Sequence, residues 1–293
     1  MSLSKHLQTS GLLEKIDGMS FDSLREAVVV AGSAWYADHA EEREIITGNL
    51  QALGLDTQPA VVDEVLYHTS LHYFEKFLPL TGSIPRYAEF LSTHIDAGDS
   101  IGQLRQSLEA SRGICIAVSH FGAVEFITPF LGMHFLPMNA VLKFSTEAMS
   151  EMAHRRSVAM EKSTLFSLIN LIEIGKPKTV AAMQMAAVLR RHEIILSVFD
   201  EKTPYSRQVE LFGKKVWGGA GLDRMIAFAN TPVDLYAAFM VRGETDRYRL
   251  ELHKIDESET DRIGAIYRVL EKVVTRHLPQ WYFLHEELPL VEE

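Results

Sequence analysis

The chain has 293 residues, 47% hydrophobic and 23% charged, and a formal net charge of −10. That length suits one large domain or a core with a helical appendage, and the acidic balance argues against nucleic-acid binding as the main function. The single cysteine, Cys115, excludes an intrachain disulfide and fits a reducing compartment.

Residues 1–110 read as helices. Ser20-Phe-Asp-Ser-Leu-Arg-Glu-Ala opens with a capping signal. Glu41–Leu53 is a charged amphipathic helix stopped by Gly54. Val61–Phe77 carries apolar residues at helical spacing, with His68 and His72 four apart. Such a pair can ligate a metal, but no third ligand is near in sequence, so a surface or core pair is the favoured reading. Arg86–His94 and Ile101–Ser111 complete this part. No signal peptide is expected, because no apolar core follows Met1–Gln8. No apolar run nears the roughly 20 residues of a spanning helix.

From Gly113 the pattern changes to short apolar strands alternating with helices. Strands are expected at 114–118, 138–143, 164–168, 194–199, 233–240 and 248–253. Helices are expected at 147–162, 179–190, 221–229 and 259–277. This alternation predicts an α/β fold: a mixed, mostly parallel sheet flanked by helices, with an N-terminal helical part. The expected division is 1–110, a helical region packed on the core, and 111–293, the α/β core. The Trp281 segment is expected to fold back on that core. Cys115 lies inside an apolar run and reads as a core strand residue rather than a nucleophile. Gly218-Gly219-Ala220-Gly221 lacks the spacing of a phosphate loop and reads as a helix-start turn, structural or facing a substrate anion.

The strongest chemical signal is Ile114-Cys-Ile-Ala-Val-Ser-His120-Phe-Gly-Ala-Val-Glu125, an apolar run ending at a histidine with a carboxylate five positions on. Residues five apart diverge within one helix. The pair therefore makes sense if His120 ends a strand and Glu125 enters the next helix. Glu125 would then accept Nδ1–H of the imidazole and leave Nε2 to take a proton from a substrate nucleophile. The plainer alternative is a histidine that packs near a glutamate by chance.

Further blocks resemble the bacterial lipid A biosynthesis (lauroyl/myristoyl) acyltransferases, a branch of the glycerolipid/lysophospholipid acyltransferase superfamily. They are His120-x4-Glu125, the basic Lys143 after an apolar strand, Asp200-Glu-Lys202, Leu211-Phe212-Gly213, Pro232 before an apolar run, and Pro279-Gln-Trp281-Tyr-Phe-Leu-His285. The resemblance spans about residues 60–288. The chain departs from it in three ways: no N-terminal spanning helix is visible, lysine stands where arginine is usual, and Asp200-Glu201 replaces Asp-Gln.

The resemblance implies an acyltransferase that moves a fatty acyl group from a thioester to a hydroxyl or amine. The donor would be acyl carrier protein or coenzyme A, with no cofactor beyond that co-substrate. His120 and Glu125 would be catalytic, with Lys143, Asp200, Lys202, Phe212 and Gly213 binding substrate. Arg155-Arg156, Lys176-Pro-Lys178, Arg190-Arg191-His192 and Lys214-Lys215 are basic candidates for meeting an acidic carrier. The acceptor is a small molecule or a lipid, and the setting is cytoplasmic with any contact to the inner membrane peripheral. Two rivals share the same base: transfer to a non-lipid acceptor of a secondary-metabolite pathway, and hydrolysis of the thioester. A non-catalytic acyl-chain binder is a third.

Overall fold

The computed structural model describes residues 3–291 apart from 17, 145–146, 175–177, 205, 220 and 245. Nine strands are described: β1 (Ile95–Asp96), β2 (Gly113–Gly122), β3 (Met138–Leu142), β4 (Asn170–Glu173), β5 (Ile194–Val198), β6 (Ser206–Leu211), β7 (Lys214–Gly219), β8 (Val233–Arg242) and β9 (Tyr248–Lys254). Seven form one sheet in the order β1-β9-β8-β2-β5-β3-β4. All its pairings are parallel except β8 with β9. The fold is therefore α/β with a mixed, mostly parallel sheet. β2 lies mid-sheet and its residues 113–119 are buried, which explains its unbroken apolar run: a strand covered on both faces has no polar alternation to show. Cys115 sits there, fully buried, and burial pushes its thiol pKa up.

The N-terminal helices are α1 (Leu3–Thr9), α2 (Leu12–Lys15), α3 (Phe21–Asp38), α4 (Ala40–Leu53), α5 (Pro59–Phe77), α6 (Ile84–His94) and α7 (Ser100–Glu109). Ser20 caps α3, its hydroxyl accepting the Ser23 N–H at 3.0 Å. Gly54 closes α4 in the left-handed region. The buried apolar side chains of these helices and of the sheet form one continuous cluster, and Ile95–Asp96 adds a strand to the sheet edge. Later helices are α8 (Ile127–Met133), α9 (Glu147–Lys162), α10 (Lys178–Arg190), α11 (Gly221–Ala229) and α12 (Arg262–Arg276). Among the described residues no helix is long and apolar enough to cross a membrane.

Two expectations fail locally. Residues 164–168 form no strand; the edge strand is Asn170–Glu173. Thr164 adopts φ 62° as α9 ends, and the Ser167 hydroxyl donates to the Gly132 and Leu136 carbonyls, which pins the segment as a turn. The β6–β7 hairpin was not expected. Its register, Leu211 with Lys214, leaves Phe212 and Gly213 as a two-residue turn with φ of 51° and 68°, the left-handed pair that such a tight turn needs.

Candidate active site

The carboxyl ends of β2, β5, β3 and β8 share one edge of the sheet, where an open α/β fold gathers ligand-binding groups. β2 delivers His120 there through an irregularity. Val118 pairs with Ala238 and Gly122 with Met240, so four steps on β2 face two on β8. The surplus residues bulge out and re-aim the histidine. Gly122 closes the bulge at φ 56°, and a Cβ there would lie 2.0 Å from the Met240 carbonyl oxygen.

β5 ends just before Asp200, which is 2% exposed. One carboxylate oxygen accepts the His120 backbone N–H at 2.8 Å; the other lies 3.0 Å from Nδ1. The carboxylate thus fixes both the backbone and the ring of the histidine. Burial alone would lower the His120 pKa. The Asp200 charge and hydrogen bond, with Glu201 and Glu125 adding to them, outweigh burial and push it up to about 9. The second nitrogen, Nε2, lies 3.6 Å from a Glu201 carboxylate oxygen, longer than a hydrogen bond.

This corrects the expected partner. Glu125 falls in a one-turn 3-10 helix, Val124–Phe126, with its side chain 39% exposed and 3.9 Å from Nε2 of His72. The bulge rotates His120 toward β5, so a residue 80 positions away outcompetes one five positions away. Glu125 reaches His120 only through its charge.

The histidine borders a cleft of about 780 Å³ whose wall includes Glu201, Lys202, Trp217, Phe283 and Glu286. Lys202 lies 5.8 Å from the Trp217 ring centroid. Residues 288–291 extend along β7, with Trp217 N–H to the Pro289 carbonyl at 2.7 Å and Val291 N–H to the Lys215 carbonyl at 2.9 Å. This strap forms one side of the cleft. The Trp281 segment does fold back: Trp281 is buried and pairs with Phe121. That brings Phe283 edge-on to the His120 ring at 5.2 Å and Tyr282 to 6.2 Å.

Three sequence candidates lie elsewhere. Lys143 is exposed just past β3, and β5 stands between β3 and β2. Two strand spacings, about 10 Å, separate the two strand ends, and Lys143 is absent from the cleft wall. Phe212 and Gly213 form the hairpin turn, whose Phe212 N–H donates to Glu271 of α12 at 2.7 Å. The hairpin's other end touches the site, with Gly219 N–H on the Phe199 carbonyl at 3.0 Å. Five residue steps, about 17 Å of strand, lie between. Gly218 and Gly219 are thus strand residues, and the Ala220 position lies outside the described residues. So does Lys176 of the basic candidates. Arg190 donates to the carbonyls closing α11, and Arg191 pairs with Glu193.

His72 is buried in the core and His68 is half-buried beside it. Burial, with Arg242 as a second cause, lowers the His68 pKa to about 3, and burial first, then the nearby cations, holds His72 well below the usual imidazole range. The sequence reading missed the contributions of Trp217 and Phe283 to the cleft wall. No family model matches the chain, and no curated protein matches it.

Proposed function

We propose that this chain is an acyltransferase that moves an acyl group from a thioester to a hydroxyl or amine. The observation that carries the reading is His120 at the cleft, with Nδ1 held by Asp200 and Nε2 not hydrogen-bonded to the nearest carboxylate. The order of motifs that resembles the lipid A acyltransferase family points to the same reaction.

In the proposed step, neutral His120 accepts the acceptor's O–H or N–H proton on Nε2. The freed lone pair attacks the thioester carbonyl, forming a C–O or C–N bond. The C–S bond then breaks, and the departing thiolate takes the proton from the imidazolium. Asp200 holds the ring in the Nδ1–H tautomer and offsets the positive charge formed on it. Glu125 assists only at a distance. Lys202 is the cation of the cleft that suits a phosphate-bearing donor arm, whether carrier phosphopantetheine or coenzyme A.

The charge of the cleft favours the non-lipid reading of the acceptor over a phosphorylated lipid. With Lys202 taken up by the donor's phosphate arm, Glu201, Glu286 and Glu287 are left facing the acceptor, a balance that disfavours a second phosphate and suits a neutral or amine-bearing acceptor. The test is release of free thiol from acyl-carrier protein and from acyl-coenzyme A, alone and with glycerol, ethanolamine or glycerol phosphate added. Acceptor-dependent release that His120→Ala slows at least about a hundredfold supports transfer. Release that no acceptor accelerates points to the hydrolase. No release from either donor, with any acceptor, sinks both readings.

A further inference from the structure

Glu75 and Arg242 form a buried ion pair beneath the site. Their side chains are 0% and 4% exposed. Glu75 comes from α5, and Arg242 ends β8. The contact is bidentate: Nε donates to one carboxylate oxygen at 2.6 Å and Nη2 to the other at 2.8 Å. The same Nη2 donates to the Gly122 carbonyl at 2.8 Å. Nη1 lies 3.4 Å from Nδ1 of His68. Gln280 brackets the Arg242 backbone, its Oε1 accepting the N–H and its Nε2 donating to the carbonyl, both at 2.8 Å.

A buried pair of this kind is rarely the most stable filling of its space. Apolar residues of similar volume commonly do as well or better, because both charges must be stripped of water. What apolar residues cannot supply is a donor for the Gly122 carbonyl. That carbonyl closes the bulge two residues after His120. The bulge is thus held at its middle and at its end by carboxylates from distant elements: Asp200 holds the His120 amide directly, and Glu75 holds Gly122 through the planar fork of Arg242. Lysine could not replace that fork, since it has no fixed pair of donors aimed at carboxylate and carbonyl together.

We infer that Glu75 and Arg242 are positioning residues, which act through the Gly122 carbonyl to set the aim of His120 into the cleft. The inference rests on the acyltransferase reading for its kinetic consequence, but not for its structural one.

The experiment replaces the pair together, Glu75→Leu with Arg242→Met. It reads melting temperature, steady-state thioester kinetics, and titration of the His120 imidazole by NMR. The double variant should fold with a melting temperature near that of the parent. KM for the thioester should stay within about twofold while kcat drops roughly ten- to a hundredfold, the scale of an ångström-level misplacement of a catalytic group. The His120 midpoint, about 9 in the parent, should fall as the Asp200 contact loosens. A purely structural pair would move none of the last two. Arg242→Lys should be intermediate. If the double variant does not fold, Gln280→Leu loosens the same arginine without uncovering a charge and should shift the His120 midpoint in the same direction. A folded variant whose His120 titrates as in the parent overturns the inference. If the parent itself turns over no thioester, the reaction fails, while the titration still decides the role of the pair.

Discussion

Replacing Asp200 by asparagine is the sharpest test of how His120 is held. The two oxygens of Asp200 face two nitrogens of His120, the backbone N–H at 2.8 Å and Nδ1 at 3.0 Å. An asparagine has one acceptor and one donor end. The backbone N–H can only donate, so it claims the amide oxygen. The amide NH₂ then faces Nδ1, which must present a lone pair, and the ring proton moves to Nε2. That nitrogen can no longer accept a proton from an acceptor. The opposite amide orientation sets two donors against each other and strands a buried group, at about 1–3 kcal/mol. Loss of the charge that balances the imidazolium adds about 1.5–3 kcal/mol. Together these amount to a fall in kcat on the order of 10²–10⁴. One effect runs the other way. With a pKa of about 9, only about one parent molecule in a hundred carries a neutral His120 at pH 7, and the variant is largely neutral there. The comparison therefore belongs at pH 9.5 or above, with uncatalysed thioester hydrolysis subtracted. NMR of the imidazole nitrogens should report Nδ1–H in the parent and Nε2–H in the variant. A folded variant within about threefold of parental turnover at that pH, or one that keeps its proton on Nδ1, would refute the reasoning.

The parent should gain activity with rising pH, kcat/KM climbing through an apparent pKa near 9, and Glu201→Gln should move that inflection down; a rate already level at pH 7 speaks against His120 as the base. The raised pKa also implies a sign for stability: its contribution is whole below about pH 6.5 and is lost as pH rises through about 9. Melting temperature should therefore decline over that window in the parent and less steeply in Asp200→Asn. Glu125→Gln should cost less than about tenfold in kcat, since the side chain is 39% exposed and has no direct contact with His120; a loss as large as that of Asp200→Asn would restore Glu125 as the orienting acid. Lys143→Met should leave kcat/KM for donor and acceptor within about twofold, and a tenfold drop would return Lys143 to the substrate path.

Local pattern determined much of this protein. The capping serine at Ser20, the α4 stop at Gly54 and the apolar run before His120 each state their structure within a few residues, because capping, left-handed closure and double-sided burial are short-range demands. The alternation after Gly113 was enough for an α/β sheet, and one strand read from it, 164–168, failed where tertiary hydrogen bonds pinned a turn. His120 was legible because a strand end in such a sheet is where side chains meet ligands. Its partner was not. Glu125 is near in sequence, but which carboxylate reaches Nδ1 depends on the bulge of β2 and on β5 lying beside it, and neither fact is written in spacing. The same holds for Glu75 and Arg242, 167 positions apart and joined only when α5 covers the end of β8. Phe212–Gly213 and Lys143 show the converse: the right residue types in the right order, carried away from the cleft by a hairpin and by one intervening strand. Sequence order fixes which side chains exist near a strand end; only strand order and backbone irregularity decide which of them meet.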